Sequence, residues 1–212
     1  MKTDTLTDPL QEVVTTIPVM EQFLTLQGEG FHTGKAAYFI RTGGCDVGCH
    51  WCDVKESWEA SHHSSVRYSS LLASSVDCNA EIIVITGGEP LMYDLEVLCE
   101  LLRTSGKSLH VETSGVYPLT GSWDWICFSP KKFKSAQTEY YHKAHELKVV
   151  IYNASDLAWA EEHAEKMNAD AKLYLQPEWS KKDQIMPLIV EYVKKNPKWR
   201  ISLQTHKYLN IP

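Results

Sequence analysis

Apolar and polar positions along the chain follow two periods, and this pattern predicts strands interleaved with helices. Short apolar runs that end at Gly or Pro predict strands, and leucines three or four positions apart predict helices. The predicted strands are 18–26, 36–42, 81–86, 108–112, 125–128, 146–151, 172–175 and 200–204. The predicted helices are 68–75, 92–104, 155–167 (capped by Ser155) and 182–195. Residues 51–65 are predicted to be irregular, and residues 1–17 to form a loose lead-in.

This alternation predicts an α/β fold, with a mostly parallel sheet covered by helices. The chain of 212 residues is short for a closed eightfold barrel. We therefore expect a single domain, residues 1–212, built as a partial, open (β/α) barrel. The segment from Thr113 to Trp125 is rich in Gly and Pro and short for a helix of normal length, so we expect the helical layer to be incomplete.

Composition and charge narrow the classes of function. The formal net charge of −6 argues against a broad nucleic-acid surface. No apolar run is long enough to cross a bilayer, and the first residues lack the pattern of an export signal. We therefore expect a cytoplasmic protein whose thiols are reduced. Cys78, Cys99 and Cys127 are scattered, and we expect them to serve in packing.

Three further cysteines, Cys45, Cys49 and Cys52, lie within eight residues, directly after a predicted strand. Thiolates at this spacing bind zinc or an iron–sulfur cluster, and both normally take four protein ligands. Three thiols without an obvious fourth predict a metal centre with one open position. The alternatives from the residues alone are a zinc site completed by His50, or three unrelated buried thiols.

Polar clusters follow nearly every predicted strand. The carboxyl ends of parallel barrel strands share one face, so these clusters are expected to line one cavity. Loops are polar in general, but that does not explain the cysteines or the number of Glu, Gln and His residues. The clusters are Gln27/Glu29, Cys45/Cys49/Cys52, Thr86–Glu89, Glu112/Ser114, Ser129/Lys131, Gln176 and Gln204/His206.

The sequence Gly87-Gly88-Glu89-Pro90 follows the most apolar predicted strand. Glycines let a ligand approach the backbone closely, and free carbonyl groups can accept hydrogen bonds from an ammonium group. In this interpretation Glu89 adds negative charge for the ligand. Taken alone, the motif could equally be a tight turn before a helix.

Together, the cysteine motif and the Gly-Gly-Glu-Pro motif resemble the radical S-adenosylmethionine (SAM) superfamily. The resemblance implies a [4Fe–4S] cluster held by the three cysteines, with SAM chelating the fourth iron. It narrows to the 7-carboxy-7-deazaguanine synthase family, which converts 6-carboxy-5,6,7,8-tetrahydropterin to 7-carboxy-7-deazaguanine in queuosine biosynthesis. The segments that carry it are 25–30, 86–90, 112–115, 129–131, 175–177 and 204–207.

This resemblance implies roles for individual residues. The residues implied to contact SAM are Trp51, Cys52, Asp53, Gly88, Glu112, Ser114, Ser129, Lys131 and Gln176. The residues implied to contact the pterin are Leu26, Gln27, Gly28, Glu29, Arg41, Thr86, His206 and Pro212. The resemblance also implies a homodimer, and an electron donor such as flavodoxin or ferredoxin. Two of these residues have alternative roles. Arg41 could instead form a surface ion pair. Asp53 could instead brace the loop that carries Cys45, Cys49 and Cys52, which we call the cysteine loop, through backbone N–H groups.

One position departs from the family pattern. Members generally need Mg²⁺, and a hydroxyl residue two positions after the last cluster cysteine helps to hold it. Here that position is Val54, with Glu56 and Ser57 as the nearest candidate oxygen ligands. Mg²⁺ is still an expected cofactor, because it keeps several waters readily, but no side-chain ligand is assigned.

Two rival functions remain open at this stage. An activating enzyme for a glycyl-radical partner has a similar cysteine motif but acts on a protein. A zinc-stapled binding module would use Cys45, Cys49, Cys52 and His50 without catalysis.

Overall fold

The computed structural model describes residues 15–212, and its strands form one continuous sheet. The strands are β1 Thr16–Leu26, β2 Ala36–Thr42, β3 Ser64–Arg67, β4 Ile82–Gly87, β5 Ser108–Thr113, β6 Trp125–Phe128, β7 Glu146–Ile151, β8 Lys172–Pro177 and β9 Trp199–Ile201. The α-helices are α1 Tyr68–Val76, α2 Glu96–Arg103, α3 Glu139–Lys143, α4 Ser155–Ala164, α5 Lys182–Lys195 and α6 Thr205–Leu209.

The sheet is parallel from β2 to β9 and antiparallel at one edge. Its order is β3-β1-β2-β4-β5-β6-β7-β8-β9, with β1 antiparallel to both β2 and β3. Among the described strands β3 and β9 stand at opposite ends of this order and do not pair, so the barrel is open. The predicted fold class, a partial (β/α) barrel with a mostly parallel sheet, is confirmed.

Alternate residues along the strands face two different environments. One face packs against the helices and is apolar, as Ile83 and Ile85 in β4 and Leu147 and Val149 in β7 illustrate. The other face carries buried charged and polar groups in β5 and β7, and a small apolar cluster around Phe39 in β2. The helices therefore stabilise the sheet from outside, and the inner face is left for ligands.

Several predicted boundaries were wrong for local reasons. Thr16 and Ile17 belong to β1, where Ile17 is buried; residues 1–14 of the predicted lead-in lie outside the described residues. A 3₁₀ turn, Pro90–Met92, replaces the start of the predicted helix 92–104, because the Glu89 carboxylate accepts a hydrogen bond from Leu91 N. The helix itself begins at Glu96.

Helix α4 also differs from its prediction. Ser155 is its first residue and not its cap, because the Asp156 carboxylate accepts hydrogen bonds from Tyr152 N and Asn153 N. The helix ends at Ala164 and not at Met167.

The last predicted strand, 200–204, is shorter and shifted: β9 covers Trp199–Ile201. The chain leaves the sheet there because Ser202 Oγ donates a hydrogen bond to Gln176 Oε1, at 2.7 Å. Strand β3 and helices α3 and α6 were not predicted, whereas the lack of a helix between Thr113 and Trp125 was predicted correctly.

Candidate active site

A cavity of about 350 Å³ opens on the inner face of the sheet. It is lined by all the residues that the sequence analysis assigned to metal, SAM or pterin. These are Leu26, Gln27, Gly28, Glu29, Arg41, Cys45, Cys49, Trp51, Cys52, Asp53, Thr86, Gly88, Glu112, Ser114, Ser129, Lys131, Gln176, His206 and Pro212. The predicted convergence of strand-end residues on one cavity is confirmed.

Gln27 and Glu29 reach this cavity by a route that was predicted wrongly. They follow β1, which is antiparallel to β2, so the end of β1 lies beside the amino end of the parallel strands. The loop after Leu26 therefore enters the barrel from the opposite end to the cysteine loop. The two ends of the cavity are built by different parts of the chain.

The cysteine loop is fixed by backbone hydrogen bonds within the loop and to the segment that follows it. Cys45 N donates to Trp58 O at 3.0 Å, and Cys52 N donates to Cys49 O at 3.0 Å. Burial raises the pKa of the Cys45 thiol, and burial also raises the pKa of Cys49 to about 11 although Lys131 opposes the change. These two free thiols are therefore protonated at neutral pH, and binding of a metal displaces their protons.

The donor set fits an iron–sulfur cluster better than a single zinc ion. Within residues 15–212 no three His, Cys, Asp or Glu side chains surround a single ion position. His50, the proposed fourth zinc ligand, is exposed and packs against Phe133 and Tyr152, with ring centroids 5.5 and 5.3 Å away. A [4Fe–4S] cluster binds each thiolate through a different iron, so its cysteines need not converge on one point.

Gly87 packs on the end of β2, and Gly88 packs on the cysteine loop. A Cβ atom at Gly88 would overlap the carbonyl oxygen of Gly44 and approach Cys45 Cβ to 2.9 Å. A Cβ at Gly87, where φ is +136°, would overlap the backbone of Thr42. These glycines were predicted to allow close approach of a ligand, but in the structure the backbone nearest to Gly87 is the end of β2 and the backbone nearest to Gly88 is that of the cysteine loop.

The Glu89 carboxylate lines the cavity and is held in place by hydrogen bonds within the protein. It is buried and accepts hydrogen bonds from Thr113 Oγ1 at 2.6 Å and from Ser114 N at 2.8 Å. Ser114 Oγ and Leu91 N complete its set of donors. These bonds hold the end of β5 against the Gly-Gly-Glu-Pro turn.

The remaining predicted SAM residues form a second wall. Lys131 Nζ donates hydrogen bonds to Ser129 O and to Ser129 Oγ, the latter at 2.7 Å, and lies 6.0 Å from the centroid of the Trp51 ring. Burial lowers the pKa of Lys131. Gln176 Oε1 accepts a hydrogen bond from Ser202 Oγ, so its amide nitrogen remains for a ligand.

Opposite the cysteine loop, buried charged groups form the floor of the cavity. Lys148 Nζ pairs with Glu29 Oε2 at 2.5 Å and lies 3.6 Å from Glu112 Oε2. Gln27 Nε2 donates to Glu112 Oε1 at 2.9 Å. Burial alone would raise the pKa of Glu29, but Lys148 and Gln204 lower it to about 2. The neighbouring carboxylates raise the pKa of Lys148 against the effect of burial, so both partners are charged at neutral pH.

Arg41 and Glu112 make contacts that bear on the roles predicted for them. Arg41 donates from Nε to Glu21 Oε1 at 2.8 Å, so it makes the predicted surface ion pair and also lines the cavity. Glu112, predicted to contact SAM, lies with the residues predicted to contact the pterin, Gln27 and Glu29, through the shared Lys148.

The last segment of the chain covers the open side of the cavity. Thr205 N donates to Gly28 O at 2.9 Å, and the His206 ring packs where a Cβ of Gly28 would lie. Thr25 Oγ1 donates to the carbonyl oxygen of Pro212 at 3.2 Å. Asp53 Oδ2 pairs with Lys207 Nζ at 2.5 Å, so Asp53 connects the cysteine loop to this segment by its side chain and not through backbone N–H groups.

Sequence reasoning missed several cavity residues, chiefly Lys148, Lys207 and the stacked rings of Phe23 and Phe39. A signal for Lys148 was present: Glu146 and Lys148 interrupt an apolar strand at a spacing of two, which puts both on its inner face. Gln204 was singled out only as part of a cluster. Its side chain donates to Glu29 Oε1 at 3.0 Å and to Asp53 Oδ2 at 3.3 Å.

Comparison with known proteins identifies the family. Residues 39–148 match the model of the radical SAM superfamily. The 7-carboxy-7-deazaguanine synthase of Flavobacterium psychrophilum is 59% identical over 196 residues, which are 92% of this chain and 93% of that protein. The synthase of Synechocystis is 48% identical over 96% of this chain and 98% of its own length.

A solved structure agrees with these relatives. The crystal structure of QueE from Escherichia coli superposes with a TM-score of 0.80 and 32% sequence identity, covering 89% of this chain and 93% of that one. The match to the superfamily model brings the [4Fe–4S] cluster and SAM as cofactors, in agreement with the donor set of the cavity. The chain therefore belongs to the radical SAM superfamily and, within it, to the 7-carboxy-7-deazaguanine synthase family.

Proposed function

We propose that this chain converts 6-carboxy-5,6,7,8-tetrahydropterin to 7-carboxy-7-deazaguanine. The observation that carries the proposal is the charged floor formed by Glu29, Glu112 and Lys148, which lines the same cavity as the three cysteines. A small ring with several N–H and carbonyl groups matches this set of fixed donors and acceptors. A glycyl-radical activating enzyme would need a groove open to a polypeptide, which this floor does not provide.

When bound, the reduced cluster and SAM would supply the one-electron chemistry that removes a hydrogen atom from C6 of the pterin, ahead of ring contraction and loss of ammonia. Cys45, Cys49 and Cys52 would hold the cluster. Gly88 and Ser114 would present backbone and hydroxyl groups to SAM, and Trp51, Asp53, Ser129, Lys131 and Gln176 would complete its pocket. The protein groups orient both ligands and exclude water from the reacting atoms.

The pterin would lie on the charged floor. The backbone of Leu26 and Gly28, with the side chains of Gln27 and Glu29, would bind its amide and amine edge. Arg41 would bind the substrate carboxylate through the terminal nitrogens of its guanidinium, because Nε is already bonded to Glu21. The other contacts would come from Thr86, His206 and Pro212.

Mg²⁺ does not fit as a directly coordinated ion beside Val54. Val54 lines the cavity with no side-chain oxygen, and its carbonyl accepts a hydrogen bond from Ser57 Oγ at 2.7 Å. Ser57 is buried, and neither Ser57 nor Glu56 is among the described residues that line the cavity. We propose that Mg²⁺ acts on this chain only through water and the substrate carboxylate, and binds weakly.

The reconstituted protein tests the proposed reaction in an anaerobic assay with SAM, dithionite and the carboxypterin. We expect 7-carboxy-7-deazaguanine and 5′-deoxyadenosine to form. Glu29→Gln should lower kcat/KM about 100-fold, because a charged hydrogen bond at the floor contributes about 1.5–3 kcal/mol. Glu100→Gln, an exposed change on α2, is the control and should behave as the wild type.

Two outcomes would contradict the proposal. One is deoxyadenosine formation that depends on a glycyl-radical enzyme and yields no deazaguanine from the pterin. The other is an unchanged kcat/KM in Glu29→Gln.

A further inference from the structure

Next to the cysteine loop, on the outside of the molecule, lies a surface that the proposed reaction does not use. It consists of His50, Phe133, Tyr152, Lys132, Lys134 and Lys181, and we call it the basic aromatic surface. His50 is exposed, and the rings of Phe133 and Tyr152 both pack against it. Phe133 is 41% exposed, and its ring contacts those of both His50 and Trp51.

The lysines of this surface come from two segments that are far apart in the sequence. Lys132 and Lys134 follow β6, and Lys181 precedes α5. Lys181 Nζ lies 5.8 Å from the centroid of the Tyr152 ring, and Tyr152 packs on His50. The fold thus brings separate basic segments together around one exposed ring.

The charge of this surface is opposite to that of the whole molecule. Two carboxylates lie against it: Asp46 pairs with Lys134, and Asp156, which is buried, pairs with Lys132. Three lysines against two aspartates leave a positive surface on a chain of net charge −6. Such a local reversal of sign attracts an acidic partner and orients it at this face.

The position of the surface indicates what that partner delivers. His50 and Trp51 lie between the two ligands Cys49 and Cys52 in the chain. The Trp51 ring is 6.3 Å from that of Phe133, and Trp51 also lines the cavity. A protein bound at this surface therefore stands within one or two residues of the cluster ligands without entering the substrate cavity.

We propose that the basic aromatic surface is the docking site of a small acidic one-electron carrier protein. In the electron transfer at this site, the reduced carrier loses one electron, and that electron reduces the cluster from its 2+ state to its 1+ state. The inference rests on the proposed function only in taking the cluster as the electron acceptor.

Flavodoxin is the probe that tests the site. The dissociation constant of oxidised flavodoxin for the cluster-loaded protein is measured by calorimetry, and turnover is measured with flavodoxin and its reductase. We expect Lys181→Glu to raise the dissociation constant and the KM for flavodoxin about tenfold, and Phe133→Ser to raise both severalfold. Added salt should weaken wild-type binding more than binding of Lys181→Glu.

Lys195→Glu is the matched control. Lys195 is exposed at the end of α5, next to the amino end of β9 and therefore at the opposite end of the sheet. This variant should bind flavodoxin within about twofold of the wild type. Dithionite is small and needs no docking surface, so dithionite-driven deoxyadenosine formation should be unchanged in all three variants.

The possible failures are distinguishable. A dissociation constant that Lys181→Glu and Phe133→Ser leave unchanged would overturn the docking site, whatever the substrate proves to be. Loss of dithionite-driven activity in these variants would also overturn it, because the residues would then act on the loaded site itself. Lack of deazaguanine formation by the wild type would refute the proposed function and leave the binding result standing.

Discussion

At position 54 the chain places an apolar side chain on the cavity wall, two residues after the cluster ligand Cys52. The backbone around Val54 is already occupied, because its N–H donates to Cys52 Sγ at 3.4 Å and its carbonyl accepts from Ser57. A cation near this residue would keep its own water shell, since Mg²⁺ loses water reluctantly. The affinity of the site for Mg²⁺ then depends on the bound substrate.

Val54→Thr tests this interpretation. Threonine has nearly the shape of valine and adds one hydroxyl group facing the cavity. We expect the Mg²⁺ concentration at half-maximal activity to fall about tenfold, as one direct oxygen ligand is gained.

Val54→Ala is the control for the loss of valine packing and should leave the Mg²⁺ dependence unchanged. If the wild type already reaches full activity at micromolar Mg²⁺, the ion binds tightly without a hydroxyl group at position 54, which would contradict this interpretation.

At the scale of elements, the cysteine loop and the Gly-Gly-Glu-Pro turn behave as one unit. Gly88 N donates to Thr42 O at 3.1 Å, and Glu89 N donates to Gly44 O at 2.8 Å. The Glu89 carboxylate then ties this unit to the end of β5. The cluster ligands and the predicted SAM pocket are thus fixed relative to one another before either ligand binds.

Gly88→Ala should separate the two loops. The new methyl group overlaps Gly44 O, and relief of this overlap moves the backbone that carries Cys45. We expect a loss of about 1–3 kcal/mol in the free energy of unfolding of the cluster-free protein. Iron bound after reconstitution should fall well below four per chain.

Gly106→Ala separates this effect from general glycine strain. Gly106 has φ of +71°, and no atom lies within 4 Å of the position that a Cβ would take, so the variant carries backbone strain without the overlap. It should lose stability by about 1 kcal/mol and bind iron normally. Full iron loading of Gly88→Ala would contradict the account of the two loops.

Sequence patterns predicted the parallel strands well because apolar runs between glycine or proline turns are a strong local signal. They failed where distant contacts decide the outcome. Strand β3 is polar and exists by pairing with β1, and β9 ends where Ser202 turns toward Gln176. The resemblance located the ligand pocket, but the approach of Gln27 and Glu29 from the other end required knowledge of strand direction.

At the scale of the whole molecule, buried histidines make stability depend on pH. Burial lowers the pKa of His110 and of His163 to about 4, and burial also lowers the pKa of His32. The ring centroids of His32 and His110 are 4.6 Å apart, at the amino end of the barrel. These rings are neutral in the folded protein, whereas in the unfolded chain they become charged below about pH 6.5.

The stability that these groups contribute is present above about pH 6.5 and is lost as the pH falls toward 4, because the unfolded chain then binds more protons. Between about pH 7 and pH 5 we expect a loss of about 2 kcal/mol for each of His110 and His163. Urea unfolding of the cluster-free protein at the two pH values measures this loss in the free energy of unfolding. His110→Phe should remove about half of this difference, and an unchanged difference would contradict the assignment.

Among the described residues no helix combines the length and the apolarity needed to cross a membrane. The cytoplasmic location and the homodimer remain predictions, and sedimentation velocity of the cluster-loaded protein is the measurement for the second.

Because β1 is antiparallel to β2, the two ends of the cavity are built by different segments of the chain, and these segments can be altered separately. The parallel strand ends deliver the groups assigned to the radical source, together with Arg41 and Thr86, whereas the hairpin between β1 and β2 delivers Gln27, Gly28 and Glu29 to the molecule being transformed. Selectivity can therefore be redesigned by grafting or randomising residues 27–35 while the radical-generating half is left intact. The same separation allows the substrate specificity of this fold to change during evolution while the radical-generating site is kept.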